Sequence, residues 1–210
     1  MNIANIRTDY KLMTLNESDV LPNAIAQFDA WWQQAVHSEI EEVNAMTLAT
    51  VSSDGKPDAR IVLLKNFSEE GFEFFTNYNS AKGKELAENP YACLVFFWKE
   101  LERQVRITGR VKKVSAARSD EYFYSRPAGS RVGAWSSPQS EVIASREVLE
   151  ANEKHFKEQF GEDIPRPEHW GGYAVMPESI EFWQGRSNRL HDRLLYTLEN
   201  GTWKIKRLAP

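Results

Sequence analysis

The segment WQGRSNRLHDR, residues 183–193, places three arginines and a histidine in eleven positions. Read as a strand, its period of two sets Arg189, His191 and Arg193 on one face, with Leu190 and Asp192 on the other. Three potential cations on one face repel one another unless an anion lies among them. A solvated edge strand tolerates such a row, because charge protects exposed edges from pairing. Trp183 upstream and the LLY run downstream fit a partly buried wall facing a ligand better.

Three further segments carry related chemistry. RIVLLK, residues 60–65, alternates Arg60, Val62 and Leu64 against Ile61, Leu63 and Lys65, so its two cations point to opposite sides. They either end a buried strand or serve different anions, with the backbone between them open to a planar ligand. NSAKGKE, residues 79–85, opens a polar helix whose free N–H groups favour a phosphate, with Ser80 offering a hydroxyl and Lys82 a charge. Small polar residues and lysines also cap many helices that bind nothing. In YFYSRPAGS, Tyr122, Arg126 and Ser130 follow at i, i+4 and i+8, and Pro127 ends or bends the helix. A guanidinium fork and two hydroxyls suit a phosphate monoester, and a surface helix with its loop explains the spacing equally well.

Periodicity indicates the elements that must position these groups. Apolar residues at helical spacing predict a helix over residues 22–38, with Pro22 in its first turn. Residues 46–53, 58–67 and 71–77 read as strands separated by turn signals, and 79–90 as a short polar helix. Strands over 91–99 and 103–114 follow, then helices over 115–127 and 145–161, the second capped by Ser145. AGSRVGAWSSPQS between those helices reads as a Gly/Ser-rich connector. GGYAVMP, SIEFWQG, HDRLLYTL and TWKIKRL read as separate strands, the last two joined through Glu199-Asn200-Gly201. The pattern is mainly β with flanking helices, an antiparallel barrel. Residues 1–20 form an arm or lid, and 21–210 a single domain.

Composition narrows the function classes. Thirty acidic against 26 basic residues give a net charge of −4, so nothing draws the whole chain to nucleic acid or an anionic membrane, and any anion site is local. No apolar run has the length of a signal-peptide core or a membrane span, and a cytoplasmic location is expected. The single cysteine, Cys93, excludes an intramolecular disulfide and reads as a small core residue. Four scattered histidines give no metal-ligand spacing, and neither a GxGxxG nor a P-loop pattern occurs.

In this order and spacing, RIVLLK, FFTN, LERQVRITG, YFYSRP, GAW, SPQS, WGGY, EFWQG and RLHDR leading to WKIKRLAP resemble the pyridoxine (pyridoxamine) 5′-phosphate oxidases, from about Arg7 to Pro210. The resemblance implies an FMN-binding split β-barrel working as a homodimer, with two sites at the subunit interface. It implies oxidation of pyridoxine 5′-phosphate or pyridoxamine 5′-phosphate to pyridoxal 5′-phosphate, with O2 reduced to hydrogen peroxide and ammonia released from the amine. Carried over by position, FMN contacts fall on Arg60, Ile61, Val62, Leu63, Leu64 and Lys65, then on Phe75, Thr76, Ser80 and Lys82. Gln104, Gln139, Ser140, Trp183 and Arg193 complete that shell, some from the second subunit. Lys65, Tyr122, Arg126 and Ser130 fall on the substrate phosphate. Arg189, Leu190 and His191 fall on the pyridine ring, Arg189 and His191 being the catalytic candidates, while Arg7 and Tyr10 close the pocket. Another flavin oxidoreductase of this barrel, such as a flavin reductase, or a non-catalytic binder of FMN or pyridoxal phosphate would share part of the pattern.

Two positions depart from the family pattern that the resemblance implies. Ser80-Ala81-Lys82 stands where the resemblance implies Ser-Arg-Lys, and Phe75 stands where a tyrosine is frequent. Ala81 removes a cation from the expected FMN phosphate site. A hydrogen bond to a charged group contributes about 1.5–3 kcal/mol. Ala81→Arg is therefore expected to tighten FMN binding about tenfold or more in a fluorescence titration, and an unchanged affinity would remove the charge argument.

Overall fold

In the computed structural model, which describes residues 2–5 and 9–210, Ile25, Phe28, Trp31 and Ala35 recur at helical spacing along α1 (Ala24–His37) and are all buried. Asn23 caps the helix, its side-chain oxygen accepting from the Ile25 and Ala26 N–H groups. Pro22 thus precedes the cap instead of lying in the first turn.

Among the described residues nine strands form one antiparallel sheet: β1 (Ala45–Val51), β2 (Pro57–Leu63), β3 (Asn66–Ser68), β4 (Gly71–Asn77), β5 (Tyr91–Trp98), β6 (Arg103–Lys113), β7 (Trp170–Gln184), β8 (Asp192–Glu199) and β9 (Thr202–Arg207). Their order is β2-β1-β5-β6-β7-β4-β3, with β8 on β7 and β9 on β8. β2 and β3 lie at opposite ends of that order, yet only Leu64 and Lys65 separate them in sequence. Two residues cannot span a flat sheet of this width, so the sheet curls until its edges meet. At the seam the Leu64 N–H donates to Asn44 O and the Lys65 N–H to Glu73 O, each at 2.8 Å. The strand expected over 58–67 is therefore broken where the chain crosses from one edge to the other.

β7 is continuous where two strands were expected. Its first half pairs with β4 and its second half with β8, while β6 runs beside both. Thr108 faces Ser179 and Gly109 faces Pro177, leaving Glu178 as the extra residue of a bulge. Pro177 lacks a ladder N–H and fits there. A Cβ on Gly109 would lie 1.9 Å from Met176 O, so the bulge requires glycine opposite it. In the β8–β9 hairpin Asn200 and Gly201 have φ of 50° and 76°, the type I′ turn expected of Asn-Gly.

Inside the barrel Phe28 meets Phe67, Phe72 and Phe96 with ring centroids 4.9, 4.9 and 5.3 Å away. Cys93 is not part of this core. It is half-buried on the outward face of β5, between the inward-facing Ala92 and Leu94. A second apolar cluster of Phe123, Val132, Ile164 and Trp170 holds α3 (Ala116–Ser125), α4 (Ala128–Ser136) and α5 (Arg146–Phe160) against the outside. α4 occupies the stretch expected to be a connector. Its glycines and serines are poor helix formers, and burial of Val132 with packing of Trp135 on Phe156 and Phe160 overrides them. Ser145 stands at the N-cap of α5, but its side chain accepts no helix N–H. Among the described residues no helix is long and apolar enough to cross a membrane.

Phe28 is fully buried at the centre of the aromatic cluster. Phe28→Ala is expected to cost about 3–5 kcal/mol. Urea unfolding would show this as a lower midpoint at unchanged slope.

Candidate active site

A cleft of about 670 Å³ opens between β2, β4, the start of α2 (Ala81–Glu88) and the α3–α4 corner. It brings together Arg60, Ile61, Val62, Leu63 and Lys65 from the barrel seam with Phe75, Thr76 and Lys82. Tyr122, Arg126 and Ser130 form the opposite wall, and Gln139 and Ser140 the end. Leu64 does not reach it, being 5% exposed in the core. Ser80 does not reach it either. Its hydroxyl accepts the Gly83 N–H as the helix cap and donates to Asn77 O at 2.6 Å, so its one proton is spent on the end of β4 and is not offered to the cleft.

The cations in the cleft differ in how they are neutralised. Arg60 contacts Asp58 at 2.5 Å and Glu85 at 3.1 Å, and donates to Thr50. Lys82, 8% exposed, hydrogen-bonds among the described residues to neutral oxygens alone: Thr76 Oγ1 and Gln139 Oε1 at 3.3 Å and Ser80 Oγ at 3.4 Å. Burial, with Arg60 nearby, pushes its ammonium pKa down. Arg126 lies over the Trp170 ring at 4.6 Å, with Nη1 buried and without a hydrogen-bond partner among the described residues. Burial lowers its pKa as well. Glu85 and Asp58 offset part of this at Lys82 without pairing with it, so both cations keep a desolvation cost that an anion entering the cleft relieves.

Tyr122 is held by ring packing. Its centroid is 4.1 Å from that of Phe75 and 6.1 Å from that of Trp170, and Lys65 Nζ lies 5.7 Å from it. Trp170 was not singled out in the sequence. The glycines after it are the signal that would have marked it, since a Cβ on Gly172 would lie 2.7 Å from the Phe75 ring.

The remaining expected residues gather elsewhere. Gln104, Trp183 and Arg193 are consecutive cross-strand partners on β6, β7 and β8. Trp183 packs on His191 at 4.6 Å, and Tyr10 meets both rings at 5.7 and 6.0 Å. The alternation expected for Arg189, His191 and Arg193 does not hold. Residues 187–189 form a 3-10 turn in which Asn188 and Arg189 have φ of 57° and 62°, and β8 begins only at Asp192. Leu190 is 68% exposed beside this turn. Arg193 is not a free cation: it donates to Glu181 at 2.8 and 3.2 Å, and Arg106 binds the same carboxylate at 2.7 Å. Arg7 lies outside the described residues.

His191 Nδ1 accepts the Arg186 N–H at 3.1 Å, so the neutral ring carries its proton on Nε2. Burial and the nearby Arg189 hold its pKa below the usual histidine value.

Comparison with known proteins decides the family. The family model described as pyridoxamine 5′-phosphate oxidase matches residues 32–160, and that of the pyridoxine 5′-phosphate oxidase C-terminal dimerisation region matches residues 170–210. The chain belongs to the pyridoxamine 5′-phosphate oxidase family. A pyridoxine/pyridoxamine 5′-phosphate oxidase of a Nostoc species is 62% identical over 210 residues, covering 99% of this chain and 98% of its own. One from Burkholderia multivorans is 57% identical, covering 99% of both. Among solved structures, PhzG from Burkholderia lata, in complex with tetrahydrophenazine-1-carboxylic acid, superposes with a TM-score of 0.90 at 28% identity, over 97% of this chain and 100% of its own. A pyridoxamine 5′-phosphate oxidase-related, FMN-binding protein from Nostoc punctiforme shares the fold, with a TM-score of 0.70 at 18% identity over 94% of this chain and 100% of its own. The curled sheet is the split β-barrel of this oxidase family.

Because Arg189 contributes to the lowered pKa of His191, Arg189→Ala should raise the midpoint of the His191 ring in an NMR titration toward that of free histidine. An unmoved midpoint would leave burial as the sole cause.

Proposed function

We propose that this oxidase-family protein converts pyridoxine 5′-phosphate and pyridoxamine 5′-phosphate to pyridoxal 5′-phosphate, using FMN and dioxygen and releasing hydrogen peroxide, with ammonia from the amine. The observation that carries this reading is one cleft holding a buried ammonium, Lys82, and a half-buried guanidinium, Arg126, whose Nη1 is sealed from solvent; neither has a carboxylate within ion-pair distance among the described residues. Two phosphate-bearing ligands supply the missing charge, each bringing about −1.5 to −2 near neutral pH.

The residues present fit FMN. Lys82, with Thr76 and Gln139 around it, takes the phosphate, and the β2 edge from Arg60 to Lys65 borders the planar ring. When bound, FMN supplies the two-electron acceptor and passes the electrons to dioxygen. Arg126, Tyr122, Ser130 and Lys65 hold the substrate phosphate. The Phe75–Tyr122–Trp170 packing fixes Tyr122, so its hydroxyl is oriented before the ligand arrives.

Arg189 and His191 reach the cleft from a second copy, and the working protein is a cytoplasmic homodimer. The outward barrel face leaves Ile61 65% and Phe97 54% exposed, an apolar surface that a second copy covers. In the neutral ring His191 Nδ1 is occupied by Arg186, so Nε2–H serves the substrate as a donor. Arg189 is positioned beside it to stabilise charge that shifts as the substrate C–H bond breaks.

Mixing the yellow protein anaerobically with pyridoxamine 5′-phosphate should bleach the flavin, and air should restore it. Absence of bleaching would favour a different flavin oxidoreductase or a binding protein. Arg126→Ala should raise KM about 10- to 100-fold with kcat changed far less, because a phosphate contact persists from ground state to transition state. A fall confined to kcat would contradict that assignment.

A further inference from the structure

Glu102 is a half-buried acid with an unusual set of tasks. It ends the 3-10 turn Lys99–Leu101 in the left-handed region, φ 53°, immediately before β6. Its backbone oxygen accepts the Gly185 N–H at 2.7 Å and Gln184 Nε2 at 3.2 Å, which fixes the end of β7. Its side-chain Oε2 accepts two successive arm amides, the N–H groups of Lys11 and Leu12, both at 2.9 Å. No cation pairs with this carboxylate among the described residues, for Lys11 Nζ turns to Asp9. The charge is committed to the arm backbone, a strong class of hydrogen bond.

The residue so placed is Tyr10, next to Lys11. Its ring lies across Gly185, where a Cβ would come within 2.7 Å of Tyr10 Cγ, and it covers Trp183 and His191. Its carbonyl accepts the Ser187 hydroxyl at 3.2 Å. One residue therefore grips both the floor, through its backbone oxygen, and the roof, through its carboxylate. Other contacts hold the arm farther along, where the Leu15 N–H donates to Asp192 and Glu17 pairs with Arg207. Among the described residues only Glu102 acts within two residues of Tyr10 from the β5–β6 turn.

We infer that Glu102 is a positioning residue of the active site, its carboxylate latching the N-terminal arm so that Tyr10 roofs Trp183 and His191. This rests on the reading that these two rings face the substrate. Glu102→Ala removes the latch. Glu102→Gln keeps an amide oxygen that accepts the same two N–H groups and is the conservative rescue.

The test has two independent arms on the FMN-loaded protein. Trypsin cleavage at the Lys11–Leu12 bond, followed by mass spectrometry, should accelerate at least tenfold in Glu102→Ala and return most of the way to wild type in Glu102→Gln. KM for pyridoxamine 5′-phosphate should rise about tenfold in Glu102→Ala with kcat little changed. Adding Tyr10→Ala to Glu102→Ala should cost no more than Tyr10→Ala alone, because both act through one contact. Equal cleavage in all three proteins overturns the latch. Released cleavage with unchanged KM, or additive effects with Tyr10→Ala, overturns the positioning role. Failure of the wild-type flavin to bleach would sink the proposed activity and leave the cleavage result standing.

Discussion

The two-residue crossing at Leu64 and Lys65 constrains everything around it. With β2 and β3 at opposite ends of the sheet order, the chain closes the barrel in one step, and its backbone bonds tie the seam to Asn44 on one side and Glu73 on the other. Alternation across the crossing follows from this. Leu64 turns inward and is sealed in the core, which leaves Lys65 and the β2 edge as the lip of the cleft. A barrel seam is where backbone groups and side chains of both edges are accessible together, and it is there that the proposed planar ligand with an anionic tail would lie. Phe28 and its aromatic neighbours fill the interior behind the seam.

What distinguishes the cations of this acidic chain is their neutralisation. Arg60, Arg193 and Arg207 each contact carboxylates, and Glu181 is shared by two arginines while only 2% exposed. Lys82 and Arg126 have neutral or aromatic neighbours instead. An arginine already bound to carboxylates orients a ligand by hydrogen bonds and adds little net charge. A desolvated cation without such a partner gains more from an arriving phosphate.

Much of this was legible from residue order. The barrel strands and the β8–β9 hairpin followed from periodicity and turn chemistry, whereas Ser130 joins Tyr122 and Arg126 at the cleft across the α3–α4 corner and not along one helix. Three features were hidden for physical reasons. Helix α4 is poor in helix formers and exists through Val132 and Trp135 packing on α3 and α5, a tertiary effect with no local signature. β7 reads as two strands because Pro177 and Glu178 break the pattern, and only the pairing with Gly109 shows a bulge inside one strand. The face assigned to Arg189, His191 and Arg193 assumed strand alternation, but positive φ at Asn188 and Arg189 interrupts it before β8 begins. Ionic partners were equally invisible, since Glu85 and Glu181 lie 25 and 12 positions from the arginines they hold.

The sheet register also bears on how the two aromatic-and-cation groups can meet. Ile61, Thr47, Val95, Arg106 and Glu181 form one outward-facing row across β2, β1, β5, β6 and β7. Ile61 lines the cleft, whereas Glu181 holds Arg193 beside Trp183. Four strand spacings of about 4.8 Å separate them by roughly 19 Å across a convex surface. A ligand lying at the seam faces away from the Trp183 group of its own chain, so one chain cannot wrap it from both sides. A two-fold contact centred on this row inverts the order, setting one copy's Ile61 edge against the other's Trp183 and His191. The exposed Phe97, next to Gln104 in the adjoining row, then lies near the middle of the contact. The arm latched by Glu102 belongs to the same end of β7 as Trp183, so under this arrangement each cleft is roofed by the other subunit's Tyr10. Register and exposure favour such a dimer on separate grounds.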